Sequence, residues 1–101
     1  MKGTHCTSMV VGFIGHDLAL RYTVQGTAAT YLNVAVHYEN NGAKPHWIKV
    51  HVYGQRAETL HQHARRGSKI LAQGPLKTAR LDNGRGARLV TFIEAQHIEL
   101  C

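Results

Sequence analysis

Acidic residues are scarce in this chain of 101 residues. It has six Asp and Glu against twelve Lys and Arg, which gives a formal net charge of +6. No two carboxylates stand at a spacing that suggests general acid–base chemistry, so we expect a protein that is not an enzyme. The excess of positive charge favours a polyanionic partner, such as nucleic acid or an anionic membrane surface.

Long apolar runs are also missing. No segment approaches the roughly 20 apolar residues that a membrane-spanning helix needs, and the cations are not gathered on one amphipathic helix. We therefore expect no membrane partner. The stretch from Met1 to Cys6 has no sustained apolar segment and does not read as a signal peptide. We expect residues 1–5 to be disordered or extended, and the chain to work in a bacterial-type cytoplasm.

The chain has only two cysteines, Cys6 and Cys101, which stand almost at its two ends and outside any metal-ligand spacing. Without an export signal we expect free thiols, although a disulfide joining the termini stays open. Two of the eight histidines, His61 and His63, are two residues apart on a predicted helix and point away from each other. The sequence therefore predicts no metal site and no cofactor.

The stretch from Trp47 to Gly54 alternates strictly between two kinds of side chain. Side chains on a strand point to opposite faces with a period of two, so Ile48, Val50 and Val52 share an apolar face. The other face carries two rings, a cation and a histidine: Trp47, Lys49, His51 and Tyr53. Rings that stack on bases and cations that bind phosphates suit single-stranded nucleic acid. Cross-strand packing or a subunit interface would explain the rings equally well.

The rest of the chain is rich in β-branched and aromatic segments separated by turn signals, which predicts a mainly-β fold. We expect five strands, at 6–14, 28–38, 47–53, 68–80 and 88–100, with a short extended piece at 20–23. Between the third and fourth strands, Ala57, Leu60, His61 and Ala64 form one stripe of a short helix. This order in a single domain, 1–101, is that of a five-stranded oligonucleotide-binding barrel.

Seven short motifs follow one another along the chain: VGFIGHD at 11–17, LRYT at 20–23, GTA at 26–28, WIKV at 47–50, YGQRAE at 53–58, RRGS at 65–68 and GPLKT at 74–78. In this order and spacing they resemble the bacterial-type single-stranded DNA-binding proteins, and the resemblance extends from about Val10 to Leu100. It implies an oligonucleotide-binding barrel that binds single-stranded DNA without sequence preference in replication, repair or recombination. It also implies a homo-oligomer, a tetramer rather than a dimer, at nucleoid, plasmid or phage DNA.

Residue by residue, the resemblance assigns a base-stacking role to Trp47 and Tyr53 and a phosphate-facing role to Arg65, Arg66 and Lys77. Further cations gather around the second hairpin loop, at Arg80, Arg85 and Arg88. Any one of them is more simply a solvated loop residue, but together they predict a track for phosphates and salt-dependent binding. The predicted DNA-binding set is Trp47, Lys49, His51, Tyr53, Arg65, Arg66, Lys77, Arg80 and Arg85.

The chain departs from the family pattern at two further stacking positions, which hold Asn40 (or Tyr38, if the loop is shifted) and Leu81. Losing two rings costs several kcal/mol per subunit, at about 1–3 kcal/mol per stacked base. The sequence also stops at Cys101 without the acidic tail that recruits repair enzymes, so we expect no such recruitment.

Two other interpretations stay open. One is an adaptor resembling primosomal replication protein N, which would dimerise and bind single-stranded DNA together with replication-restart proteins. The other is a structural oligomer without nucleic-acid binding.

Overall fold

Strands dominate the structure, a computed structural model that describes residues 3–39, 42–82 and 84–101. The elements in these residues are β1 (Thr7–Ile14), β2 (Arg21–Tyr22), β3 (Ala28–Val36), β4 (His46–Tyr53), α1 (Gln55–His63), β5 (Lys69–Asp82), β6 (Ala87–Glu94) and β7 (His97–Leu100). The predicted mainly-β class is confirmed, as is a helix between the third and fourth long strands, here β4 and β5. The short piece predicted at 20–23 is β2.

Backbone pairing closes five strands into a ring in the order β1-β3-β4-β6-β5. The ring closes where β5 returns to β1, antiparallel from Thr7↔Pro75 to Phe13↔Lys69. Strands β4 and β6 run parallel, with Val50 beside Ile93. This ring is the five-stranded oligonucleotide-binding arrangement predicted from the sequence. Strand β2 adds to β3, and β7 adds to β5.

The last predicted strand, 88–100, is divided into β6 and β7. At the break, the Ala95 N–H donates to the His51 carbonyl, whereas the Gln96 N–H donates to the Gln73 carbonyl, each at 2.9 Å. After β6, the chain thus stops pairing with β4 and with the second half of β5, and it continues as β7 along the first half of β5. Strand β5 has 14 residues and can pair with β6 through one half and with β7 through the other.

The core fills the inside of the ring with aliphatic side chains at alternate strand positions. The largest fully buried aliphatic ones are Ile14, Leu32, Val34, Val50, Val52 and Ile70. Helix α1 packs against this core through Ala57 and Leu60. His61, which the sequence put on the same stripe, is exposed. The buried face of β4 is therefore anchored in the core, and its other face is available for a surface role.

The two cysteines are exposed free thiols and lie far apart. The carbonyl of Cys6 accepts a hydrogen bond from the Leu76 N–H, whereas the N–H of Cys101 donates to the Lys69 carbonyl. Leu76 and Lys69 stand seven positions apart on β5, which corresponds to about 23 Å along a strand. The structure therefore does not bring the two thiols together in one chain.

A glycine-to-alanine pair tests the crossing between β5 and the β6–β7 break. A Cβ on Gly74 would overlap the backbone carbonyl of Glu94, whereas a Cβ on Gly26, at φ +86°, meets nothing within 4 Å. We expect Gly74→Ala to lower the free energy of unfolding by about 3 kcal/mol, because backbone cannot move aside as a side chain can. Gly26→Ala should cost about 1 kcal/mol, for its left-handed conformation alone. Urea denaturation measures both, and equal losses would contradict the crowding at Gly74.

Candidate nucleic-acid interface

One outward face runs across β3 and β4. The strands pair antiparallel, so that Tyr53 lies opposite Ala29, His51 opposite Tyr31, Lys49 opposite Asn33 and Trp47 opposite Ala35. The alternation predicted for β4 is present, since Val50 and Val52 are fully buried and Lys49 is exposed. The structure therefore brings four of the predicted residues together on one surface: Trp47, Lys49, His51 and Tyr53.

Trp47 lies at one end of this face, on small neighbours. Its cross-strand partner is Ala35, and a Cβ on Gly15 would overlap two atoms of the indole ring, Cζ3 and Cη2. The ring therefore lies directly against the Gly15 backbone. Its exposed fraction is 54%. A large ring supported by small residues on one side and open to solvent on the other is suited to stacking.

At the other end of the face, four aromatic side chains form what we call the ring cluster: Tyr31, His51, Tyr53 and Phe92. The His51 ring stacks on Phe92 with centroids 3.8 Å apart and planes within 15°. Tyr31 meets His51 and Tyr53 edge-on, at 4.6 Å and 6.2 Å. Stacked and edge-to-face contacts are the favoured geometries of aromatic pairs. Phe92 is 8% exposed, whereas Tyr31 is 43% exposed.

Two members of the ring cluster, Tyr31 and Phe92, were not among the predicted site residues. The signal for Tyr31 was present, since it alternates with Leu32 and Val34 on β3 and so points outward. Phe92 gave no local signal. It reaches His51 only because β6 runs parallel to β4, a pairing between distant parts of the chain.

The surroundings shift the pKa values of two members of the ring cluster, His51 and Tyr53, toward the neutral form. Burial lowers the pKa of His51 below its ordinary value of 6.5, the nearby Lys49 lowers it further, and Glu94 acts in the opposite direction. Burial also raises the pKa of Tyr53, with smaller contributions from Tyr31 and Glu94. The imidazole is therefore neutral and the phenol protonated at pH 7, so the cluster presents flat, neutral rings.

Lys77 stands beside the ring cluster but is paired with a carboxylate. Its partner on β6 is Phe92, and its Nζ lies 3.0 Å from an Oε of Glu94. The two side chains are 48% and 32% exposed, so the pair is open to solvent. A phosphate that used Lys77 would have to compete with Glu94.

The arginines predicted for the phosphate track lie in two places. Arg65 and Arg66 are in an exposed turn after α1, where the Gly67 N–H donates to the Ile14 carbonyl at 2.8 Å. Because Ile14 precedes Gly15, this turn lies near the Trp47 end of the face. The pairing of β5 with β6 continues beyond the ring of strands, from Thr78↔Thr91 to Asp82↔Ala87, and we call this extension the arm. Arg80 lies on the arm, and Arg85 lies in the turn at its tip.

The predicted cations of the arm do not share one face. Side chains alternate along β5, so Arg80 points to the opposite side from Lys77. Most residues of the arm are exposed, including Arg80, Leu81, Arg85 and Arg88. The cations therefore surround the arm and do not form a single line along it.

The chain departs from the family pattern at Asn40 (or Tyr38) and at Leu81. Asn40 lies outside the described residues. Tyr38 is exposed and meets His46 edge-on at 5.3 Å, and His46 alternates with Trp47 on β4, so this ring lies away from the Trp47 face. Leu81, expected after the fourth strand, lies inside β5 opposite Arg88. Neither Tyr38 nor Leu81 adds a ring to the face of β3 and β4.

Residues 3–39, 42–82 and 84–101 contain no cluster of three or more His, Cys, Asp or Glu side chains able to hold a metal ion. Within the same ranges, no helix has both the length and the apolar character needed to cross a membrane.

Comparison with known proteins gives a consistent result. The family model described as single-strand binding protein family matches residues 6–101. A single-stranded DNA-binding protein of Streptococcus pneumoniae is 31% identical over 97 residues, covering 91% of this chain and 62% of its own. Those of Helicobacter hepaticus and Enterococcus faecalis are 29% and 28% identical, covering 79% and 91% of this chain and 51% and 52% of their own. This chain therefore spans about half to three fifths of the relatives' length.

The lowered pKa of His51 predicts a pH dependence of stability. The folded state resists protonation of this imidazole, so its contribution is fully present above pH 6.5 and is lost as the pH falls through the lowered pKa. We expect the wild type to lose more unfolding free energy between pH 7.5 and pH 4.5 than His51→Gln, as measured by urea denaturation. His61→Gln, on the exposed side of α1, is the matched control and should follow the wild type. Equal losses of unfolding free energy in the wild type and in His51→Gln over this pH range would contradict the lowered pKa of His51.

Proposed function

The chain belongs to the single-strand binding protein family, and from this premise we propose that it binds single-stranded DNA without sequence preference and without catalysis. In this proposal the strand lies along the outward face of β3 and β4, in a role in replication, repair or recombination in a bacterial-type cytoplasm. The observation that carries the proposal is the row of outward-facing rings on that face, with the exposed Trp47 at one end, the ring cluster with the exposed Tyr31 at the other and Lys49 between them.

The dimensions of the face suit a strand of several nucleotides. Trp47 and Tyr53 are six residues apart on β4, which corresponds to about 20 Å. Bases would stack on Trp47 and on the ring cluster, and Lys49 would meet a phosphate between the two stacking sites. Every base has a flat π-face, so recognition by stacking is tolerant of sequence.

In this proposal Tyr31 compensates in part for the two stacking positions at which the chain departs from the family pattern. The exposed Tyr31 ring stands edge-on to His51 and Tyr53, which hold its orientation. The buried Phe92 ring stacks on His51 in turn. We infer that the Tyr31 ring, contributed by β3, replaces part of the stacking that the family draws from tryptophans elsewhere.

The cations would supply the electrostatic part of the affinity. Arg65 and Arg66 stand near Trp47, and Lys77, Arg80 and Arg85 stand at or beyond the ring cluster. Each phosphate neutralised should add about −0.7 to the slope of log affinity against log salt concentration. In this proposal residues 1–101 act as one binding domain, with the two groups of cations at opposite ends of the outward face of β3 and β4, which we call the stacking face.

We also propose that the chain forms a homo-oligomer through the outward face of β1. Met9, Val11 and Phe13 alternate along that strand and are 61%, 42% and 44% exposed, so together they form an apolar stripe on the surface. A tetramer in sedimentation equilibrium would agree with a DNA-wrapping protein, and a dimer with an adaptor resembling primosomal replication protein N.

Alanine substitutions test the stacking. We expect Trp47→Ala to weaken binding of a fluorescently labelled oligo-dT at least tenfold, in line with about 1–3 kcal/mol per stacked base. Tyr31→Ala should weaken it about fivefold, because the ring is exposed but smaller. Tyr38→Ala is the matched control, an exposed ring away from the face, and should change affinity less than twofold. Equal effects of Tyr31→Ala and Tyr38→Ala would exclude the ring cluster from the binding surface.

Removal of the carboxylate beside Lys77 tests the phosphate contact. We expect Glu94→Gln to tighten oligo-dT binding about threefold and to steepen the salt slope by about 0.7, because Lys77 becomes available to one phosphate. Glu58→Gln, an exposed position on α1, controls for the change in net charge. The gain should vanish in the double variant Glu94→Gln/Lys77→Gln, and a gain that persisted there would show that Lys77 is not the contact.

A further inference from the structure

A side chain extends the sheet where β1 ends. Strands β1 and β3 pair through Phe13↔Ala35 and Ile14↔Val34. Beyond them the Gly15 N–H donates to the Asn33 carbonyl at 3.1 Å, and the Asn33 N–H donates to Nε2 of His16 at 2.9 Å. The imidazole thus accepts the hydrogen bond that a backbone carbonyl would accept in a longer β1.

The two contacts of His16 define how its ring is held. Because Nε2 accepts a hydrogen bond from a backbone N–H, it carries no proton, and the ring proton is on Nδ1. Nδ1 lies 2.9 Å from the Asp17 carbonyl and donates to it. Both ring nitrogens are therefore used, one toward β3 and one toward the chain that leaves β1. This fixes the backbone on either side of His16.

The residue fixed in this way is the one that supports Trp47. Gly15 lies between Ile14, the last residue of β1, and His16, and the indole of Trp47 lies directly on it. Both polar backbone groups of Asn33 are engaged with this segment, the carbonyl with Gly15 and the N–H with His16. Without the imidazole, one hydrogen bond from Gly15 would remain to hold the segment against β3 at this point.

We propose that His16 is a positioning residue for Trp47. Its neutral imidazole locks Gly15 against β3, and Gly15 in turn sets the plane of the indole, so that the free face of the ring is ready for a base. This inference rests on the proposed function for its consequence in DNA binding. The positioning itself is a property of the free protein, and no contact between His16 and DNA is required.

The first test uses the free protein. Trp47 is the only tryptophan in the sequence, so tryptophan fluorescence reports on it alone. We expect His16→Ala to lower its fluorescence anisotropy and to raise its acrylamide quenching constant about twofold. His16→Gln should restore both values, because the amide oxygen can accept from the Asn33 N–H. His63→Ala, at an exposed position at the end of α1, should change neither. Unchanged fluorescence in His16→Ala would overturn the proposal.

His16→Lys provides a second loss variant should His16→Ala fail to fold. Lysine has no acceptor in its charged form, so it cannot replace the imidazole although it is long enough to reach Asn33. We expect it to free the indole as alanine does. A lysine variant with wild-type anisotropy and quenching would overturn the proposal as well.

The second test measures affinity for labelled oligo-dT. We expect His16→Ala to weaken binding about fivefold, His16→Gln to restore it, and His16→Ala to have no further effect in a Trp47→Ala background. That lack of additivity would show that His16 acts through the indole. Weakened binding by His16→Gln with unchanged tryptophan fluorescence would mean that the imidazole contacts DNA directly, which overturns the proposal. Absence of oligo-dT binding by the wild type would refute the proposed function, whereas the free-protein fluorescence would still decide whether His16 positions Trp47.

Discussion

The parallel pairing of β4 with β6 is the contact on which the rest of the structure depends. It joins Val50 to Ile93 in the core and His51 to Glu94 on the surface, and it links the strands β1-β3-β4 to the strands β6-β5 within the ring. Closure pairs strand edges that would otherwise invite association with another chain. The same pairing places Phe92 of β6 against the His51 ring, and the pairing of β6 with β5 brings Glu94 to Lys77. The pairings of β6 therefore build both the ring of strands and part of the candidate site.

The two ends of the stacking face are built on different principles. Trp47 depends on the smallness of its neighbours, since Ala35 and Gly15 let a large ring approach the backbone closely. The ring cluster depends instead on aromatic contacts, in which His51 is held between Phe92 and Tyr31. This packing buries the His51 imidazole and so lowers its pKa, and the nearby Lys49 lowers it further. The imidazole therefore favours its neutral form beside the charge of Lys49. Charge and stacking are thus kept on separate side chains of one strand.

The sequence was sufficient to predict the class, the closed arrangement, the helix and the shared face of Trp47, Lys49, His51 and Tyr53, because each depends on a local period or on a family motif. Tyr31 obeyed the same alternation, but a period does not reveal which strands are neighbours. Phe92 and the Glu94–Lys77 pair required the pairing of β6 with β4 and β5. The division of the last strand at Ala95 required the exchange of partners along β5. These features arise from contacts between distant segments, for which no local pattern exists.

The β5–β6 arm has a mechanical consequence. From Thr78 to Asp82 it pairs only with its β6 partners, from Thr91 back to Ala87, among the described residues, and most of its side chains are exposed. A two-stranded ribbon with little buried surface has a low free energy of local opening, whereas the ring strands share one core. The arm that carries Arg80 and Arg88 should therefore open more readily than the ring strands β3 and β4, which carry Trp47 and Tyr31. A compliant arm of this kind can adjust its charges to the irregular course of a flexible polymer.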